Sequence, residues 1–272
     1  AIAADGLLQL RIRSVYRIGR KSSIRQDIVF HADTPRVDFE TEIDWHEKHR
    51  LLKVGFEVDV HAASARHETQ FGYVERPTHA NTPYDQGMFE VCAHKWTDLS
   101  ETRFGVALLN DGKYGISVMG SDARLTLHKG GTHPDPRGDE GVHRIVYSLL
   151  PHGGFGAESV IRPAYELNAP LVAVPGRDDG STVGGGSFAS VDAPNVVIET
   201  IKPAEDGDGY VLRLYEAERS GVRNAVLRFG KAPSRVVRTN LLEEEIGEVP
   251  LAGAEVSLDF RAFEIATLKV YP

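Results

Sequence analysis

The sequence predicts an all-β protein, and three observations carry that prediction. Apolar and polar residues alternate with a period of two over most of the chain, the signature of strands with one buried face. Pro and Gly punctuate the sequence throughout, 14 and 27 times in 272 residues, closing segments at strand rather than helix length. No amphipathic helix longer than two turns is legible. Packed sheets with apolar inner faces are the architecture such a pattern favours.

Taken in order, Val37, Phe39, Thr41, Ile43 and Trp45 alternate with Asp38, Glu40, Glu42 and Asp44, so a strand is expected with one apolar and one exposed acidic face. His46-Glu47-Lys48-His49 turns the chain, and Leu52, Val54, Phe56, Val58 and Val60 read as the return strand. Short strands follow near residues 104–109, 115–118, 124–127 and 144–150. Asn110-Asp111-Gly112 between the first two reads as a hairpin turn, because these residue types tolerate positive φ. Residues 174–188, VPGRDDGSTVGGGSF, are rich in Gly, Ser and Asp and read as a flexible connection. Five strand-like runs come after it: 196–201, 210–217, 225–229, 235–241 and 256–270, the last with a break near Ala262. A boundary near Gly185 is expected, giving a large β domain over 1–185 and a small β-sandwich over 186–272.

Apolar residues make up 41% of the chain and charged residues 26%, which fits a packed core and a soluble surface and excludes a disordered chain. The net charge of −8 disfavours nucleic acid as a partner, since phosphate binding needs a basic face. No run of about 18 apolar residues exists, so no membrane span is expected. Cys92 is the single cysteine; it forms no internal disulfide and anchors no multi-thiolate metal site. Between Val91 and Ala93 it reads as a buried, inert thiol, and this usage fits a reducing, cytoplasmic compartment. The opening AIAADGLLQL lacks the basic start and apolar stretch of a signal peptide.

Chemistry-bearing residues crowd residues 68–152. His79, His94, His128, His133, His143 and His152 lie there, but no HExxH or finger-type spacing supports a metal site, and hydrogen bonding at strand ends is the plainer account. Residues 128–143 hold Lys129, Asp135, Arg137, Asp139 and Glu140, either a solvated loop or a loop aimed at a ligand. Asp111, Lys113 and Tyr114 sit at the expected hairpin tip, where an aromatic beside polar groups suits a sugar. RPTHANTPYD reads as an irregular loop offering Arg76, His79, Asn81, Tyr84 and Asp85, with Arg76 placed to pair with Asp85 or Glu90. Trp96 reads as core, and Asp98, Ser100 and Glu101 as caps on local amides. Glu205-Asp206-Gly207-Asp208-Gly209 reads as a tight turn rather than a calcium loop. A self-contained glycosidase would need two carboxyls about 5–9 Å apart across a sugar bond, and no sequence feature singles out such a pair.

Three ordered blocks carry a specific resemblance. RPTHANTPYD, FEVCAHKWTDLSE and LLNDGKYG resemble the all-β C-terminal region of the α-mannosidases of glycoside hydrolase family 38, in its bacterial and cytosolic-vacuolar branch. Residues 34–62, PDPRGDEGVH at 134–143, LLPH at 149–152, residues 194–217 and the closing RAFEIATLKV extend the likeness over nearly the whole chain. The resemblance implies a supersandwich like that of galactose mutarotase, followed by a smaller sandwich. It further implies a retaining, zinc-dependent α-mannosidase whose zinc ligands and nucleophilic Asp belong to a catalytic domain that this sequence does not include. On that basis no catalytic residue, metal ligand or cofactor is assigned within this chain, and zinc is implied for the full-length enzyme. The expected partners are that catalytic domain, in the same polypeptide, and an α-mannoside; homo-oligomer formation is left open.

In the family a basic residue, commonly arginine, contacts substrate; alignment on the following Pro-Asp-Pro puts it at Lys129, where a point charge replaces a planar bidentate fork. Tyr84 stands where the family usually has Trp. The residues expected to face sugar are Arg76, His79, Asp111, Lys113, Tyr114, Lys129 and Asp139. Two other readings stay open. One is a free-standing carbohydrate-binding or structural β module. The other is a mutarotase-like enzyme using His94 or His143 with Glu90 or Glu140.

Overall fold

The computed structural model describes residues 1–175 and 185–272. They form two compact units, Ala1–Leu171 and Val172–Pro272. The division falls N-terminal to Gly185, and most of the expected flexible connection, residues 176–184, lies outside the described residues.

The first unit contains β1 (Ile2–Asp5), β2 (Gln9–Ile18), β3 (Ser22–His31), β4 (Val37–Trp45), β5 (Leu51–Glu57), β6 (Ser64–Thr69), β7 (Gly72–Pro77), α1 (Pro83–Gly87), β8 (Val91–Cys92), β9 (Trp96–Ser100), β10 (Gly105–Asn110), β11 (Gly115–Met119), β12 (Asp122–Lys129) and β13 (Gly141–His152). A π-helical turn, Ala157–Ile161, then runs into α2 (Arg162–Asn168). Nine strands pair in the order β1-β2-β3-β4-β13-β10-β9-β6-β7, and four in the order β5-β12-β11-β8. The two sheets face each other over a core of Ile43, Trp45, Leu108, Ile116, Leu125 and Tyr147. The fold is therefore an all-β sandwich, as its alternation requires.

Several local expectations need correction. The segments 37–45 and 51–57 are both strands, but they do not pair. β4 pairs with β3 and β13, and β5 with β12. Likewise the 110–114 turn is no hairpin, because β10 belongs to the nine-stranded sheet and β11 to the four-stranded one. Helix is also longer than expected: Ala157 to Asn168 is continuous, with Pro163 in the first turn of α2, where its missing N–H costs nothing. Its apolar side buries Val160, Ile161 and Ala164.

The acidic side of β4 is not simply exposed. Asp38 is buried and accepts hydrogen bonds from Arg36 and Ser148 while contacting His31. Glu40 pairs with Arg11, and Glu42 with Arg25 and Arg144. Cys92 lies on a strand but is exposed, because β8 is a two-residue strand at a sheet edge.

The second unit contains β14 (Ala189–Val191), β15 (Val196–Pro203), β16 (Tyr210–Glu216), β17 (Val222–Phe229), β18 (Arg235–Thr239), β19 (Glu245–Glu248), β20 (Glu255–Phe260) and β21 (Ile265–Tyr271). A three-stranded sheet, β14-β17-β20, packs on a five-stranded one, β15-β16-β21-β18-β19. Leu212, Leu214, Leu227, Val256 and Leu268 fill the interior. Glu216 is fully buried and accepts from the backbone amides of Glu218, Ser220 and Phe263, so one carboxylate fixes two connections.

Candidate functional site

Many residues of the ordered sequence blocks prove to hold strands together. Asp98, fully buried, accepts from Arg66 at 3.1 Å and from Ser100, and contacts His152 Nε2 at 2.8 Å. This joins β9 to β6 and to the end of β13. Gly105 lies beside the pair, where a Cβ would come within 2.5 Å of the His152 ring, so only glycine fits. Asn110 Oδ1 accepts from the amides of Gly112 and Lys113, and its Nδ2 donates to the His94 carbonyl at 2.6 Å. Glu68 accepts from both the amide and the ammonium of Lys95, and the Thr78 hydroxyl donates to the Ala62 carbonyl. Trp96 is core.

What these braces position is the end of the four-stranded sheet. Glu90 stands just before β8 and crosses the sheet's outer surface. Its carboxylate accepts from Lys53 Nζ at 2.7 Å and from Thr126 Oγ1 at 3.0 Å, while Lys53 also donates to Ser117. Burial alone would raise the Glu90 pKa; the bonds from Lys53 and Thr126, with the charges of Lys53 and Lys129, outweigh it and leave it lowered. Gly115 allows the approach, since a Cβ there would meet Glu90 Oε1 at 2.5 Å.

Beside it the 110–114 turn meets the 129–141 connection. The His128 ring lies 4.3 Å from that of His143 and 4.8 Å from Trp45. Burial, then the charges of His143 and Lys113, hold the His128 pKa down to about 4, against a weaker pull from Asp139. His143 Nε2 contacts the Asp139 carbonyl at 2.7 Å. Among the described residues, the buried His128 Nε2 and Trp45 Nε1 have no hydrogen-bond partner. Tyr114 stacks obliquely on His94 at 4.9 Å and is half exposed. Asp111 exchanges hydrogen bonds with Val146, and burial raises its pKa.

Lys113, Lys129 and Asp139 are therefore grouped around Glu90 and His128, with Asp111 and Tyr114 on the same turn. Arg76 and His79 stand elsewhere. Arg76 is on β7, not in a loop, and reaches the Cys92 carbonyl rather than Asp85 or Glu90. Both line a groove of about 480 Å³ with Tyr84, Phe89 and Met119. Asp85 is taken up in a reciprocal capping box with Thr82 at the start of α1. Neither His94 nor His143 contacts Glu90 or Glu140 among the described residues, which leaves a mutarotase-like pair without geometry. Lys53 and Trp45, which complete the cluster, were not singled out in the sequence, because only the tertiary fold brings them there.

Among the described residues, no group of three His, Cys, Asp or Glu is arranged to hold a metal ion such as zinc. No helix among the described residues is long and apolar enough to cross a membrane.

Comparison with known proteins agrees over the whole chain. Residues 1–137 match the glycosyl hydrolases family 38 C-terminal domain, and residues 195–268 the family's C-terminal beta sandwich domain. The chain is 40% identical to alpha-mannosidase 2C1 of Homo sapiens over 98% of its length, covering 26% of that protein. It is 43% identical to alpha-mannosidase G of Dictyostelium discoideum over 72% of its length, and 32% identical to the alpha-mannosidase of Saccharomyces cerevisiae over 96%. The crystal structure of an alpha-mannosidase from Enterococcus faecalis V583 superposes with a TM-score of 0.82 over 99% of this chain and 34% of its own, at 16% identity, a likeness of fold. The chain thus spans about a quarter of the curated relatives it matches, and it belongs to glycoside hydrolase family 38, as that family's C-terminal β region.

Proposed function

We propose that this chain is the β portion of a retaining, zinc-dependent α-mannosidase, supporting the catalytic domain of the same polypeptide and lending loops to its sugar site. The observation that carries this reading is the 40% identity to an α-mannosidase over 98% of the chain. The cluster at the end of the four-stranded sheet supports the loop role. Among the described residues, Lys129 has no carboxylate within salt-bridge distance, and its charge acts on Glu90 across the surface. A cation on a rigid sandwich beside an exposed tyrosine suits recognition of sugar hydroxyls. The zinc and the nucleophile would be held outside this chain, and no step is assigned to its own carboxylates. Glu90 is engaged by Lys53 and Thr126, Asp98 is fully buried, and Glu40 and Glu42 are paired with arginines.

The test is hydrolysis of an aryl α-mannoside by the purified chain, with and without added zinc. No turnover is expected in either case. Turnover that tracks the chain, and is lost when one of its carboxylates is replaced, would overturn the division of labour.

A further inference from the structure

The inner face of the nine-stranded sheet is covered unevenly. Beneath β5, β12 and β11 it is a closed core. Over β2 and β3 it is open and largely apolar, broken by Ser14 opposite Gln26. Leu10 pairs with Phe30, Ile12 with Ile28 and Tyr16 with Ile24, placing all six on the face that carries the core. Ile24, nearest the closed part, is 4% exposed, whereas Ile12, Tyr16 and Phe30 are 37%, 45% and 41% exposed. The opposite face of the same strands is a belt of Arg11, Arg13 and Asp27 ion pairs. The apolar side is therefore the one designed to be covered.

A second observation lies directly above. Among the described residues, the four-stranded sheet ends at β5, which pairs with β12 alone. Phe56 of β5 stacks on Phe39 of β4 at 5.4 Å, so the next strand position in that sheet lies over β3 and β2. The Val58 amide donates to Ser121 on the β12 side. Alternation then turns the amides of Lys53, Gly55 and Glu57 toward the open edge. Leu52, Val54 and Phe56 face the core yet stay only partly buried. Of the two charged side chains on β5, Lys53 is folded back onto Glu90, which leaves Glu57 at the strand's end as the other.

We propose that in the full-length protein a further β-strand, from a part of the polypeptide this chain does not span, adds to the open edge of β5 and closes the apolar face over β2 and β3. The occupant is a strand because only a strand satisfies both the edge amides and the two-residue spacing of the apolar row. It comes from the same polypeptide because this chain covers only 26% of the length of the human and yeast relatives. This inference rests on the reading of the chain as one region of a longer α-mannosidase.

The experiment is residue-resolved hydrogen exchange on the 272-residue chain and on the full-length protein. The amides of Lys53, Gly55 and Glu57 should exchange at least about 100-fold more slowly in the full-length protein, while those of Val54 and Phe56 are protected in both. Replacing Ile12→Lys with Phe30→Lys should leave the isolated chain folded and raise edge exchange in the full-length protein about tenfold or more. Equal, fast exchange in both proteins would overturn the proposal. So would slow exchange in an isolated chain that elutes as a dimer, which would make a second copy the occupant. Mannoside hydrolysis by the same full-length sample separates the two readings. Hydrolysis with an open edge defeats the added strand alone; a protected edge without hydrolysis defeats the functional reading alone.

Discussion

Replacing Asp98→Ala tests whether the residues of the DLSE and LLPH blocks act as internal braces. Asp98 is fully buried and holds Arg66, Ser100 and His152, the last itself 3% exposed at its side chain. Removing the carboxylate leaves the Nε2 of a buried imidazole and part of a guanidinium without a partner. Breaking a buried, hydrogen-bonded pair in this way costs about 3–5 kcal/mol. With a urea m-value of about 2 kcal/mol/M for a unit of this size, the midpoint should fall by about 1.5–2.5 M. Asp98→Asn keeps one acceptor and should cost about 1–3 kcal/mol, a smaller shift. The assay is unambiguous about location, because the only tryptophans, Trp45 and Trp96, both lie in the first unit. Tryptophan fluorescence in urea therefore reports that unit alone. A midpoint change below about 0.3 M for the alanine variant would refute the bracing role.

Further expectations follow the same physics. Glu216→Ala removes the acceptor of three backbone amides in the second unit; it should lower a circular-dichroism transition by about 3 kcal/mol or more and leave the tryptophan transition unmoved. Burial, then the charge of Arg76, holds His67 down to about 3, so between about 3 and 6.5 the unfolded chain binds a proton that the folded one does not. That stability is complete above about 6.5 and is lost as pH falls through the window. The urea midpoint should drop between pH 7 and pH 5, and His67→Leu should flatten the drop; a flat profile for the unaltered chain would contradict the assignment. Bonds from Arg13 and Arg11 hold Asp27 down to about 2 against burial; its contribution is present above about 3.8 and lost toward 2. Arg13→Ala should therefore move the Asp27 carboxyl titration, followed by NMR, to higher pH. In the full-length enzyme, Lys129→Ala should lower kcat/KM for an α-mannoside by about 10–100-fold, one charged contact's worth, with Lys129→Arg retaining most of it.

The sequence shows faces well and partners poorly, and particular residues say why. Alternation at 37–45 correctly marks which side chains of β4 face the core, but a period of two carries no information on which strand lies alongside. Thus β4 and β5, adjacent in sequence, end in different sheets. The turn at 110–114 hid the same switch. The flanks differ: GVALLN holds the unbroken apolar run VALL and is buried on both faces, whereas GISVM alternates, with one face toward solvent. Pro163 masked a helix whose first turn it starts. Most polar residues of the three sequence blocks serve the scaffold, as Asp98, Asn110 and Asp85 do. The pairing of Glu90 with Lys53, 37 residues away, has no local signal at all. The open face over β2 was legible only as alternation in QLRIRSVYRI; that none of the described residues covers it required the fold.

The proposed role, a β region serving a catalytic domain elsewhere in the polypeptide, is tested most directly by aryl α-mannoside hydrolysis by the upstream part of the full-length polypeptide, expressed alone and co-expressed with this chain. Little activity is expected from either piece alone, with recovery of activity and co-purification when both are present. Full activity of the upstream part without this chain, or hydrolysis by this chain alone, would contradict it.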